Sequence, residues 1–106
     1  MTDTVAFRHL VRATRSVRRF HEDRAVERQA LVELIDLARL SASGGNKQPL
    51  KYVLSCAASM NARIFPCLSW AGYLKDWPGP RKGERPAAYI VILGDTAIRA
   101  DCDRDL

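Results

Sequence analysis

Arg15, Ser16 and Arg18 lie close together and have the chemistry to hold an anion. A guanidinium presents a planar fork of N–H donors that matches two phosphate oxygens at once. The three sit in Arg15-Ser16-Val17-Arg18-Arg19-Phe20, where Val17 and Phe20 are expected to anchor in the core. That leaves the polar side chains free to converge on a ligand from an extended or turn backbone. Between Arg8 and Arg28 there are seven arginines and no lysine, against Glu22, Asp23 and Glu27, in a chain of net charge +5. A solvated helix face would carry such charge equally well. If the arginines bind phosphate, it belongs to a nucleotide cofactor or to nucleic acid. Few aromatic residues interleave with them, which weakens the nucleic-acid reading.

A second stretch with chemical potential is Ser41-Ala42-Ser43-Gly44-Gly45-Asn46-Lys47-Gln48-Pro49-Leu50. Its glycines permit positive φ and close approach of the backbone to a bound group. Ser43, Asn46 and Gln48 supply hydroxyl and amide groups that both donate and accept. Pro49 fixes the exit into an extended segment. Such a loop suits a flat, polar-edged ligand, although the same residues are favoured in plain turns.

The elements that must position these stretches follow from periodicity. A first helix, capped by Thr4 and ending near Thr14, places Phe7, Leu10, Val11 and Thr14 on one face expected to be buried. A second, from about Glu27 to Leu40, carries the stripe Leu31, Leu34, Ile35 and Ala38, widened by Leu37 and Leu40. Tyr52 to Cys56 reads as a strand, Ala57 to Phe65 as a weaker helix stopped near Pro66, and Asp76 to Pro86 as a surface loop. Trp70 and Tyr73 fit either a core or a pocket. Ala87 to Leu93 is a continuous apolar run, which predicts a strand buried on both faces. Two strands among helices imply layers of sheet and helix, but two are too few for a stable sheet. The chain is therefore expected to be incomplete or to borrow strands from a partner.

The 106 residues correspond to one domain with an ordinary apolar content of 47%. No apolar run is long enough to span a bilayer, and Met1 to Arg8 has no signal-like apolar centre. Cys56, Cys67 and Cys102 form neither a zinc pattern nor a disulfide framework, which points to a reducing, cytoplasmic setting. Cys56 and Cys67 read as small buried hydrophobes, and His9 and His21 as surface residues. There is no P-loop and no dinucleotide fingerprint.

The arginine segment, the helix after it and then Ser41 to Pro49, in this order and spacing, resemble the nitroreductase family of FMN-dependent oxidoreductases. Tyr89 to Gly94 looks like that family's next central strand, and Trp70-Ala71-Gly72-Tyr73 resembles a segment near the flavin. The resemblance implies an α+β fold, a mixed sheet flanked by helices. It covers the N-terminal part of a single FMN-binding domain, residues 1–106, and a homodimer. Arg15 and Ser16 would hold the FMN phosphate and ribityl chain, and Arg18 would sit near the flavin N1 and O2 edge, where a cation stabilises reduced flavin. Ser43 and Asn46 would contact the ribityl or the ring edge from the second subunit, with Gln48 in the same loop.

The resemblance further implies a cytoplasmic enzyme in which NAD(P)H binds transiently and reduces the flavin. A nitroaromatic, a quinone or a similar electron-poor acceptor is then reduced, with no membrane or nucleic-acid partner and no metal. The sequence departs from the family in two respects. Thr14 stands where many members have arginine, and the second half of the family domain is missing, with Asp101-Cys102-Asp103 placed to begin its core helix. A specialised flavin enzyme such as a dehalogenase, and a non-catalytic flavin- or anion-binding fragment, are the alternatives.

Overall fold

The computed structural model describes residues 2–101. In chain order the elements are α1 (Thr2–Ala13), α2 (Arg28–Ala38), β1 (Leu50–Ser55), α3 (Ala58–Ile64) and β2 (Tyr89–Gly94). Short 3₁₀ turns lie at Gly44–Asn46 and Phe65–Cys67. The expected α+β mixture is present, with three helices and one antiparallel pair of strands running from Leu50 opposite Gly94 to Ser55 opposite Tyr89. The expected helix start at Asp101-Cys102-Asp103 lies, from Cys102 onward, outside the described residues.

α2 begins after Glu27, whose extended backbone makes it the N-cap. The helix ends two residues before Leu40 because its last turn tightens: the N–H groups of Leu40 and Ser41 donate to Leu37 and Ala38. Leu31 is its buried anchor, at 4% exposure. Ile35 is half-buried, whereas Leu34, Ala38, Leu37 and Leu40 are exposed, contrary to the wide buried stripe expected. α2 lies against β1, which turns Leu50, Tyr52 and Leu54 inward and Lys51 and Val53 outward, in the two-residue alternation of a strand with one covered face.

Three further expectations are corrected. The apolar face of α1 has the helical spacing foreseen, but Phe7 and Leu10 are 68% and 64% exposed, because no described element packs on it. Val17 is not a core anchor; it is 61% exposed. β2 is not covered on both faces: its first three residues are half-buried and the rest exposed, since β1 is its sole described neighbour. The radius of gyration, 16.4 Å, exceeds the about 13 Å of a compact domain of this length.

Phe20 and Trp70 do pack, in a half-buried aromatic cluster. Trp70 stands among Phe20, Phe65 and Trp77, with ring centroids at 6.3, 6.0 and 6.4 Å. The Arg85 guanidinium lies 4.0 Å over the Phe65 ring. Gly79 and Pro80, within the expected surface loop, are buried against this cluster. Gly79 is required twice over: its φ is +101°, and a Cβ there would come within 2.9 Å of Trp70 Cδ1. Nearby, buried Ser55 donates through Oγ to Asn61 Oδ1 (2.6 Å), and Asn61 Nδ2 donates to Ala87 O (2.8 Å). This relay ties β1, α3 and the entry to β2 together.

Candidate functional site

The arginine segment has no helix, strand or turn from Thr14 to Phe20. Thr14 closes α1, its N–H and hydroxyl both donating to Leu10 O at 3.0 and 2.7 Å. Phe20 is the one expected anchor that holds: its ring joins the Trp70 cluster and its N–H donates to Glu84 O at 2.8 Å. Arg15, Ser16 and Arg18 are exposed and make no hydrogen bond or ion pair with other described residues. Their donors are therefore available to a ligand. Arg19 faces outward, 3.9 Å from the Glu84 carboxylate.

The 43–48 loop is built largely from its own residues. The Asn46 N–H donates to Ser43 O (2.9 Å), and the Lys47 N–H donates to Gly44 O (3.3 Å). The Gln48 N–H donates to Ser43 Oγ (3.1 Å), and Gln48 Nε2 donates to Asn46 Oδ1 (2.8 Å). The chain is left-handed at Gly45 (φ +61°), Asn46 (+53°) and Gln48 (+49°). Glycine adopts that region freely, asparagine readily, and glutamine at a cost of about 1–2 kcal/mol. Strain of this kind gathers at binding loops. The bonds above leave Asn46 Nδ2 as a donor and Gln48 Oε1 as an acceptor.

The two glycines serve different ends. Gly45 supplies positive φ, whereas Gly44 makes room for the Arg99 guanidinium, whose Nη1 donates to Gly44 O at 3.0 Å. Pro49 is fully buried and accepts the Asp95 N–H at 2.7 Å, so the loop exit is fixed to the end of β2. Across that junction Lys51 Nζ pairs with Asp95 Oδ2 at 2.9 Å. The side-chain hydrogen bond from Lys51, followed by the backbone N–H of Ala97, lowers the Asp95 pKa.

Beside the loop lies a cleft of about 330 Å³, lined by Arg39, Ser41, Ser43, Gln48 and Tyr52 among others. That is the lower end of the size range of ligand pockets. Arg15, Ser16 and Arg18 do not line it. The six candidate residues thus form two separate groups, 15–18 and 43–48. Trp70 belongs to the aromatic core with its Nε1 buried and unpartnered among the described residues, and Tyr73 is fully exposed.

Sequence reasoning missed a second cavity, of about 340 Å³, between Glu22, Asn61, Phe65, Lys82, Arg85 and Tyr89. Burial first, then the Glu22 charge, raises the Tyr89 hydroxyl pKa against the opposing Arg85 cation. Only the acid and base at Glu22 and Arg85 hint at it in the sequence, and nothing local links residues 63 positions apart.

No helix among the described residues is long and apolar enough to cross a membrane. A search of curated proteins finds no match. The profile described as "Nitroreductase family" matches residues 11–72, which takes in both the arginine segment and the glycine loop. With more than half its length matched, and both candidate stretches inside the match, this chain belongs to the nitroreductase family, a group of flavin-dependent oxidoreductases.

Proposed function

We propose that the chain is the N-terminal part, residues 1–106, of an FMN-dependent oxidoreductase. It would draw on NAD(P)H and act on nitroaromatic, quinone or similar electron-poor acceptors as a cytoplasmic homodimer. The observation that carries this reading is the coincidence of the family match with two stretches of unspent donors.

The residues fit the cofactor's chemistry. Arg15 and Ser16 offer a guanidinium fork and a hydroxyl suited to a phosphate dianion and the polyol next to it. Arg18 brings a cation that no described carboxylate neutralises, which suits a ring edge that gains negative charge. Asn46 and Gln48 retain one donor and one acceptor for a polar heterocycle edge, and Ser43 braces the loop through the Gln48 N–H. Bound FMN would supply hydride acceptance and donation, which no side chain offers. A dimer explains the separation of the two groups, because the loop of one copy would meet the arginine segment of the other. The exposed apolar faces of α1 and α2 give such an assembly its surface.

The test is anaerobic addition of NADH or NADPH to the FMN-loaded protein. Bleaching of the yellow colour, and its return with a quinone, is expected. Retained colour without bleaching would make the chain a passive binder. Arg18→Ala is expected to lower the flavin reduction potential, and an unchanged potential with FMN still bound would remove Arg18 from that role.

A further inference from the structure

We infer that Glu22 is a positioning residue for the anion-binding arginine segment, acting as a carboxylate clamp on the 83–85 backbone. The inference rests on the flavin reading for what the segment binds, but not for how it is held.

Glu22 Oε1 accepts the N–H of Gly83 at 2.7 Å and the N–H of Arg85 at 3.1 Å. Between them Glu84 returns a bond, its carbonyl accepting the Phe20 N–H at 2.8 Å. Three hydrogen bonds thus join residues 20–22 to residues 83–85, across more than sixty positions of sequence. Two of the three end on one ionised oxygen, and bonds to an ionised acceptor are the stronger kind. The receiving turn is shaped for the purpose. The Glu84 N–H donates to Arg81 O at 2.9 Å, and Gly83 is at φ +94°, a conformation disfavoured for other residues. Phe20, inserted beside Trp70, prevents the segment from sliding.

Among the described residues, the other end of the segment has no comparable hold. Val17 and the apolar face of α1 are exposed, so residues 15–19 are referenced to the body of the protein from the Phe20–Glu22 side alone. The placement of Arg15, Ser16 and Arg18 is consequently set by a residue outside that group. Of the acids near the arginines, Asp23 makes no such bond, whereas Glu22 makes two.

The experiment compares the 106-residue chain with Glu22→Ala and Glu22→Gln, using FMN and riboflavin as probes and NMR amide exchange at Phe20. Riboflavin lacks the phosphate but keeps the ribityl chain and the ring, so displacement of the segment should weaken FMN more than riboflavin. Glu22→Ala is expected to raise the FMN dissociation constant tenfold or more, to raise that of riboflavin by a clearly smaller factor, and to speed exchange of the Phe20 amide at least tenfold. Glu22→Gln keeps an oxygen acceptor for both N–H groups and should stay within threefold of wild type. Equal losses for FMN and riboflavin, or an unchanged Phe20 amide in Glu22→Ala, would overturn the inference. Wild-type protein that binds neither flavin would defeat the flavin reading instead, and the Phe20 amide would still decide whether Glu22 holds the segment.

Discussion

The two candidate stretches are held in opposite ways. The 43–48 loop is folded chiefly by bonds that span two to five residues, from Ser43 to Gln48 and from Gln48 to Asn46, with Arg99 adding a distant bond to Gly44 O. The arginine segment makes no bond within itself and is fixed from one side by residues 83–85 and the Trp70 cluster. A loop held mostly by its own bonds depends little on distant elements for its shape. A strap tied to a distant turn is as well ordered as that turn and no better.

The strongest way to break this contrast is Gly79→Ala. The new methyl would crowd the Trp70 indole and force a non-glycine residue to φ +101°. Overpacking and left-handed strain together should cost about 2–4 kcal/mol. The midpoint of urea unfolding and the near-UV dichroism of the tryptophans are the measurements. Loss of FMN binding should accompany the loss of the tryptophan signal, while Ser43–Gln48 bonds persist in amide exchange. Loss of the tryptophan signal with FMN binding intact would show that the cluster does not order the strap.

That contrast also separates what was legible in the sequence from what was not. The loop's position between a helix and a strand, its glycines and its amides could be read directly, because turn chemistry is local. So could the helices and strands, to within a few residues at their ends. The left-handed backbone at Asn46 and Gln48 could not, since neither residue type demands it. Burial failed wherever it depended on a partner: the stripes on α1 and α2 have the right period, but period reports which face would be covered and not whether anything covers it. The role of Asp76 to Pro86 was misjudged for the converse reason. Pro and Gly mark irregular backbone, and irregular backbone here packs on Trp70 and receives Glu22.

A finer test sharpens the local side of the comparison. Asn46→Gly keeps the left-handed backbone without strain and removes the amide, together with the exposed Gln48 Nε2 bond to Asn46 Oδ1. Loss of one ligand hydrogen bond, about 0.5–1.5 kcal/mol, should weaken FMN roughly threefold to tenfold by titration, with the apo-protein's unfolding midpoint unmoved. An unchanged dissociation constant would return the loop to a plain connection.

The smallest effect is expected at the loop exit. Lys51 lowers the Asp95 pKa, so their pairing stabilises the folded chain above the ordinary carboxylate range. That contribution disappears as pH falls through the depressed value. In Lys51→Met the Asp95 titration, followed by NMR, should move up toward the usual aspartate range. An unmoved titration would assign the shift to the Ala97 N–H instead.

The pairing of β1 with β2 leaves the outer edge of each strand open among the described residues. Tyr89-Ile90-Val91-Ile92-Leu93 is a window of high β propensity with neither charge nor proline inside it. Such a row of unsatisfied N–H and C=O groups templates further strands as readily from a misfolded neighbour as from a proper partner. Arg85, Pro86 and Asp95 bracket the window as gatekeepers, and Lys51 sits opposite Leu93 in the register. During synthesis these open edges therefore expose the nascent chain to strand-templated aggregation, and the yield of usable protein should depend on concentration and on chaperone supply as well as on stability.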